Sequence, residues 1–233
     1  ELRKEKNIFM LAEAWEPELL KEGLFDMAYN WESHHTMNRI AQGKNSVKEW
    51  DKFMKENESK YSADDILMNF VDNHDENSWN GTIKGRLGKG EEAMTALSYI
   101  MPGMPLIYSG NEYGLSHSLK FFEKDSIPKI KGKDWELRAK LGKLKTENTA
   151  LNGGKNKAKY TRIKTDDDTN ILAFTREKNG KKVVYIANFS NNPINTKVDI
   201  TGEFTNYMTG KIMGMNEKQM FSMKPWQYYI LME

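Results

Sequence analysis

The chain has 233 residues, 38% hydrophobic and 29% charged, with 35 basic against 33 acidic side chains and a net charge of +2. That suits one or two globular domains with a real core, and it sets up no field that would draw nucleic acid or an anionic membrane. No apolar run reaches the roughly 18–20 residues of a membrane span, and the absence of cysteine excludes disulfides and thiolate metal sites while fitting either redox compartment.

The opening ELRKEKN reads as the charged tail of a helix rather than a signal peptide, so the chain is expected to be a piece of something larger. Up to residue 153, four short apolar runs alternate with longer amphipathic stretches. The runs are NIFMLAEAW (7–15), GLFDMAYNW (23–31), DILMNFVDN (65–73) and GMPLIYSGN (103–111). Helix-like segments follow them, among them SHHTMNRIAQGK, GEEAMTALSYIMPG and KDWELRAKLGKLKTENTALNGG. In the last, Asp134 is the expected N-cap, Leu137, Leu141 and Leu144 share a face, and Gly153-Gly154 supply the stop. Apolar strands without polar alternation, separated by helices, predict a parallel sheet covered on both faces.

After residue 153 the texture changes. KYTRIKT, NILAFTREKNGKKVVYIANFS, TKVDI and PWQYYILME are strand-like, with no convincing helix between them. Asn179-Gly180 predicts a type I′ hairpin turn, because both central positions need positive φ. Asn191-Asn192-Pro193 is a second turn. An antiparallel β-sandwich domain is predicted over 154–233, and the Lys-rich stretch at 177–182 is read as a solvated turn.

In parallel α/β folds ligands sit at the carboxyl ends of the strands, and polar residues cluster there. The first run ends in Ala12-Glu13-Ala14-Trp15, the third in Asn73-His74-Asp75, the fourth in Gly110-Asn111-Glu112. Glu13 and Asp75, brought to one rim from different strands, would make an acid/base pair. The same carboxylates could equally cap helices, and the pattern alone leaves both readings open.

The residues themselves resemble a known family. FVDNHD resembles the strand-seven motif of the α-amylase family of retaining glycoside hydrolases, FMLAEAW is similar to its strand-five motif, and PGMPLIYSGNEYG to its strand-eight segment. LRAKLGKLKTENTALNGG resembles the final barrel helix, and the all-β tail matches the usual C-terminal domain. The resemblance implies an α/β fold: strands five to eight of a (β/α)8 TIM barrel over residues 1–153, followed by the small antiparallel β domain. It implies Glu13 as general acid/base, a role needing a carboxyl kept protonated near neutral pH. It implies Asp75 as the carboxylate that grips sugar hydroxyls and favours the distorted, oxocarbenium-like state, with His74 hydrogen-bonding the same sugar. The family nucleophile, an aspartate on strand four, has no counterpart, since none of the twelve residues before Glu13 is Asp. Asp26 and Asp72 are the nearest alternatives, and no sequence argument places either in position. A complete barrel takes about 250 residues.

The implied parent acts on starch-type α-glucans or maltooligosaccharides by retaining double displacement, this chain alone being inactive or nearly so. Related enzymes isomerise, branch or transfer glucosyl units through the same intermediate, and a non-catalytic carbohydrate-binding piece is the remaining alternative. The expected partners are an α-glucan and either the missing N-terminal half or a second copy, because a half barrel leaves two strand edges unpaired and half an inner core exposed. No metal or cofactor is expected in this chain. Members of the family bind calcium mainly through the part without a counterpart here.

Other residues weigh less. Trp15, Trp31, Trp79 and Tyr113 follow strand ends, where rings stack on sugars or simply pack between loops, with Trp15 and Trp79 the better candidates for sugar. His34-His35 lacks a third ligand and is read as surface or helix-capping. Asp166-Asp167-Asp168 lacks the spaced oxygens of a calcium loop and is read as a charged hairpin tip. Met10, Met68, Met94 and Met101 read as core filling, and Trp135 and Trp226 as packing for the final helix and the β domain.

Overall fold

A computed structural model describes residues 2–233. A short helix, α1 (Leu2–Glu5), leads into four strands: β1 (Leu11–Ala12), β2 (Met27–Tyr29), β3 (Leu67–Asn69) and β4 (Met104–Pro105). They form one parallel sheet in sequence order, with Leu11 opposite Met27, Ala28 opposite Leu67 and Met68 opposite Met104. Between β1 and β2 the connection is only a kinked 3-10 segment, Pro17–Gly23. The remaining connections are helical: α2 (Trp31–Ala41) and α3 (Val47–Lys60), then α4 (His74–Asn80), α5 (Ile83–Leu87) and α6 (Glu91–Ile100), and after β4 the long α7 (Lys133–Glu147).

Local chemistry explains the helix starts. Asn30, Ser46, Asn73 and Thr82 precede α2, α3, α4 and α5, and the side-chain oxygen of each accepts from a backbone N–H in the first turn. The cap expected at Asp134 is not used. Gly132 stands at the N-cap position without a side-chain bond, and Asp134 lies in the first turn, where it accepts from Arg138. The helix also stops earlier than the glycine pair, at Asn148, whose extended backbone breaks it while its side chain caps the next turn.

The C-terminal strands are β5 (Lys159–Arg162), β6 (Ile171–Lys178), β7 (Lys181–Asn188), β8 (Ile194–Val198), β9 (Gly202–Asn206), β10 (Ile212–Met215), β11 (Gln219–Met223) and β12 (Tyr228–Met232). Six form an antiparallel sheet in the order β10-β9-β12-β7-β6-β5, and β8 pairs with β11 as a separate ribbon. The β6–β7 turn has φ of 53° at Asn179 and 72° at Gly180, as its sequence requires. Strand alternation gives the six-stranded sheet two apolar faces. Ile171, Ala173, Val184 and Ile186 face the ribbon, packing with Val198, Phe221 and Met223. Leu172, Phe174, Val183 and Tyr185 face the helices, in one core with Trp50, Leu97, Ile100, Leu141 and Trp226.

Polar staples cross the same junction. The buried Arg176 guanidinium on β6 donates to the carbonyls of Ile100, Asn152 and Ala158, at 2.9–3.4 Å. Tyr185 Oη donates to Ala93 O at 2.7 Å, and on the helical side of the junction Lys145 Nζ of α7 donates to Gly103 O and Leu151 O at 2.7 and 2.8 Å. Of these acceptors, Ile100 O stands at the C-terminal end of α6, where the helix itself supplies no donor.

The open apolar face expected of the parallel sheet is found only at its edges. On the two central strands Met27, Tyr29, Met68 and the adjoining Phe70 are at most 6% exposed, because Trp31, Ile66 and Leu106 close over them. Exposure is concentrated on Leu11 of β1 and Met104 of β4, at 40% and 44%, with Phe9 and Ile107 alongside.

Candidate active site

The sheet runs directly into α4, so the motif Asp72-Asn73-His74-Asp75-Glu76-Asn77 is a helix start. Asn73 caps it, its Oδ1 accepting from Glu76 N at 2.8 Å. The first turn then divides the ionisable groups between two sides, with His74 and Asp75 partly exposed while Asp72, Glu76 and Asn77 are buried.

On the exposed side, His74 Nε2 lies 3.0 Å from Glu13 Oε1 and 3.8 Å from Asp75 Oδ1. Glu13 arrives just beyond β1, one position past Ala12, on the same face as Leu11 and Met27. The three side chains come within 4.8 Å of one another, the one such grouping of His, Asp and Glu among the described residues. Exposure of 54%, 40% and 41% for Glu13, His74 and Asp75 leaves them open to a ligand. Tyr29 floors the cluster. Burial, and then the nearby Glu13 and Asp75 carboxylates, push its phenol above the ordinary range. An imidazole between two carboxylates can exchange protons and accept or donate to several hydroxyls at once. The same three groups could also converge on a cation.

The buried side is a charge network. Arg86 of α5 donates to Asp72 Oδ1 at 2.6 Å and to Val71 O and Gly81 O, and it lies 3.8 Å from Glu76. Asp72 also accepts from Asn111 at 3.0 Å and from Asn77 at 3.4 Å. Burial pushes the Asp72 carboxyl up against these opposing partners. Glu76 Oε2 is 3.0 Å from His34 Nε2. Burial disfavours ionised Glu76, but the His34 hydrogen bond and the His34 and Arg86 charges outweigh it and hold the carboxyl below its usual range. His34 is therefore neither a surface nor a capping residue. It is 1% exposed, stacked on Phe70 with ring centroids 4.6 Å apart, and burial holds its imidazole below the usual range.

These placements settle several expectations. Asp72 is sealed in an ion pair and cannot reach a substrate. Asp26 precedes β2 at the opposite end of the strands, bound by Arg3 at 2.9 Å and Met10 N at 2.7 Å. At the end of β4, Asn111 is spent on Asp72, and Glu112 accepts from Gly110 N. Trp15 is half exposed beyond Glu13 and lines a cavity of about 640 Å³ with Trp31, Lys60 and Tyr61, whose hydroxyl donates to Trp15 O. Trp79, on α4, is 61% exposed. Tyr113 stacks on Trp135 with centroids 5.6 Å apart, and Trp226 is buried in the core, its indole donating to Asn191. Asp168 accepts from Thr165 N and from Arg162, so the acidic run is a turn held by its own backbone and a neighbouring strand.

Two sets of residues escaped the sequence reading. The Glu76–His34–Arg86 network joins positions up to 52 apart, and only the unusual run of charges beside an apolar strand hinted at it. Phe121, whose ring lies 6.1 Å from His74 and 5.1 Å from Trp79, sits in a long irregular loop without periodicity to flag it.

Solved structures share this fold. A maltogenic α-amylase from Thermotoga neapolitana superposes with a TM-score of 0.85 at 19% identity, over 100% of this chain and 56% of its own. An α-amylase from Lactobacillus plantarum gives 0.78 at 17% identity, over 99% of this chain and 57% of its own. The cyclomaltodextrin glucanotransferase CldA gives 0.74 at 14% identity, over 100% and 51%. The chain thus spans a little over half the length of these proteins. No curated protein matches it. The family model for the α-amylase catalytic domain matches residues 5–200, which include the parallel sheet, the site and β5 to β8, and the chain belongs to the α-amylase family.

Proposed function

We propose that the chain supplies strands five to eight and the C-terminal sheet of an enzyme that cleaves α-glucosidic bonds in starch-type glucans or maltooligosaccharides by retaining double displacement. The observation that carries this reading is the Glu13–His74–Asp75 cluster at the carboxyl ends of β1 and β3, with its 3.0 Å imidazole–carboxylate contact. Glu13 acts as general acid on the leaving oxygen and then as general base on water. Asp75 and His74 hold the hydroxyls of the sugar being cleaved and favour its flattened, cationic form. The nucleophilic aspartate comes from a strand outside this chain. The Glu13 side chain is over half exposed here, and the enclosure that general acid catalysis requires comes from the remaining half of the barrel. That half pairs with the edges of β1 and β4, each bonded on one side only, and covers Leu11 and Met104.

Transfer to a sugar hydroxyl instead of water is the second reading, favoured by the presence of a glucanotransferase beside amylases among proteins of the same fold. Both run through one intermediate and differ in which acceptor reaches it.

The test is hydrolysis of a chromogenic maltooligosaccharide by the purified chain, with and without an upstream half-barrel segment, and with Glu13→Gln as control. Turnover only with the added segment, lost in the control, is the expected result. Glu13 and Asp75 approach within 4.8 Å, near the roughly 5–5.5 Å separation of retaining carboxyl pairs. Glu13-dependent turnover by the chain alone would therefore make Asp75 the nucleophile and overturn the assignment. Turnover that survives Glu13→Gln in the complemented enzyme would remove Glu13 from the chemistry.

A further inference from the structure

Two cations sit in the junction between the helices and the antiparallel sheet. Arg176, fully buried on β6, donates to Ile100 O, Asn152 O and Ala158 O. Lys145, half-buried on α7, donates to Gly103 O and Leu151 O. The two thus grip the same stretches of chain, 100–103 and 151–152, and their charges stand close together. Among the described residues no carboxylate pairs with either, and the charge that acts on Lys145 is that of Arg176. Two like charges in a desolvated site repel, at a cost that carbonyl dipoles recover only in part.

Buried donors beside Arg176 lack an acceptor as well. Its own Nε, the Tyr160 hydroxyl and the Trp50 indole N–H have no hydrogen-bond partner among the described residues. Tyr160 lies directly opposite Arg176 across the β5–β6 pair, and Trp50 of α3 is fully buried in the core that this face of the sheet shares. Buried donors are ordinarily satisfied, so each of these asks for an explanation. Water would satisfy the donors but leave the like charges facing each other. A negative group answers both.

We propose that Lys145 is a carbamylation site: its neutral amine adds carbon dioxide, and the resulting carbamate accepts from the Arg176 guanidinium. The Nζ lone pair forms the N–C bond, one C–O π pair becomes the charge on the new carboxylate, and a proton leaves Nζ for water. The neutral amine has two N–H bonds, matching its two carbonyl acceptors, which leaves the lone pair for the electrophile. Burial, and then the Arg176 charge, hold Lys145 down to about 7 from its ordinary 10.5. Near neutral pH much of it is therefore free amine, while exposed lysines are almost wholly charged. The reaction turns two positive charges into one of each sign. A free anion would leave both cations in place and would have to shed its own hydration to enter. Carbon dioxide is small and uncharged. Gly103 and Ala158, whose carbonyls the two cations hold, line a cavity of about 670 Å³ with Pro102 and Tyr160, which gives it a way in. The cavity lies at the N-terminal ends of β3 and β4, away from the Glu13–His74–Asp75 cluster, so the proposal is independent of the α-glucan reading.

The experiment incubates the full chain in 13C-labelled bicarbonate at about pH 7.5, ethylates any carbamate with a trialkyloxonium salt, and maps the labelled peptides by mass spectrometry. The expected result is label on Lys145 in preference to Lys143, which is exposed on the same helix. Exchanging sodium chloride for sodium bicarbonate at equal ionic strength and pH should raise Tm by roughly 2–4 °C. Lys145→Arg keeps the positive charge and its donors but removes the amine, so it should fold, by circular dichroism, and lose this response. Absence of label on Lys145, or equal label on Lys143, would overturn the proposal. A rise in Tm that Lys145→Arg retains, or that sodium nitrate reproduces, would assign the negative group to a bound anion and overturn the covalent step. Should Lys145→Arg fail to fold, the peptide map of the unaltered chain decides alone.

Discussion

Replacing Arg86 by Met keeps the apolar stem and removes the charge beneath the turn that carries the candidate site. Asp72 is fully buried and takes its shortest bond, 2.6 Å, from this guanidinium. Breaking a buried pair from one side typically costs about 3–5 kcal/mol, because the remaining charge is uncompensated. Asn111 and Asn77 still donate to the other oxygen of Asp72, which places the expected loss near the lower end, about 3 kcal/mol. For a chain of this length that corresponds to a fall of roughly 6–12 °C in Tm. The pH dependence carries a sign. Burial already raises Asp72, and losing Arg86 raises it further. An acid whose folded pKa lies above its unfolded value costs nothing when protonated in both states and costs progressively more as pH rises through the folded value. The deficit of the variant is therefore largest at neutral pH and shrinks toward about pH 4, near the ordinary carboxylate value of 3.8. Urea unfolding followed by circular dichroism at both pH values measures it, and adding Asp72→Asn to Arg86→Met should recover part of the loss. A deficit under about 1 kcal/mol, or one that is the same at both pH values, would refute the reasoning.

Three further expectations follow from buried groups and backbone. His34 is held below its ordinary value of 6.5 by burial, so its contribution is fully present above that pH and is lost as pH falls through the depressed folded value. Melting temperature should drop between pH 7.5 and 5.5, and His34→Gln should flatten the profile. Gly103 has φ of +112°, and a Cβ there would collide with the backbone oxygen of Leu67, so Gly103→Ala should cost roughly 2–5 kcal/mol in a denaturant titration. Gly180 also has positive φ but nothing within 4 Å, and the same substitution there should cost only about 1 kcal/mol.

Much of this fold was legible because its signals are local. Four apolar runs ended in polar residues, and the structure makes each the core of a parallel strand. Asn179-Gly180 specified its turn because few residue pairs tolerate two successive positive φ values. Helix ends were read less well: Asp134 has the chemistry of a cap, but a glycine two residues earlier let the helix begin before it, and Asn148 ended it ahead of Gly153. Within the site, the residues that meet, Glu13, His74 and Asp75, stood out because charge at a strand end is conspicuous in sequence. What stayed hidden was how the charges divide. Asp72 and Asp75 look alike three positions apart. One is ion-paired inside and the other open, a distinction set by Arg86 and Asn111 from distant segments. His34 was misjudged for the same reason, since its partner Glu76 lies 42 residues away.

The shared core between helices and antiparallel sheet has a consequence for how this chain can change. Arg176 and Tyr185 are rooted in β6 and β7 yet fasten carbonyls of α6, and Phe174 and Leu97 belong to one apolar mass. A cut near residue 153 would not release two folded parts, for each piece would carry away one wall of the other's interior. Grafting the C-terminal sheet of a relative onto these helices would meet the same obstacle, as would a drifting substitution on α6 without an answering one on β6 or β7. The two segments that look like separate modules in the sequence are bound to vary together.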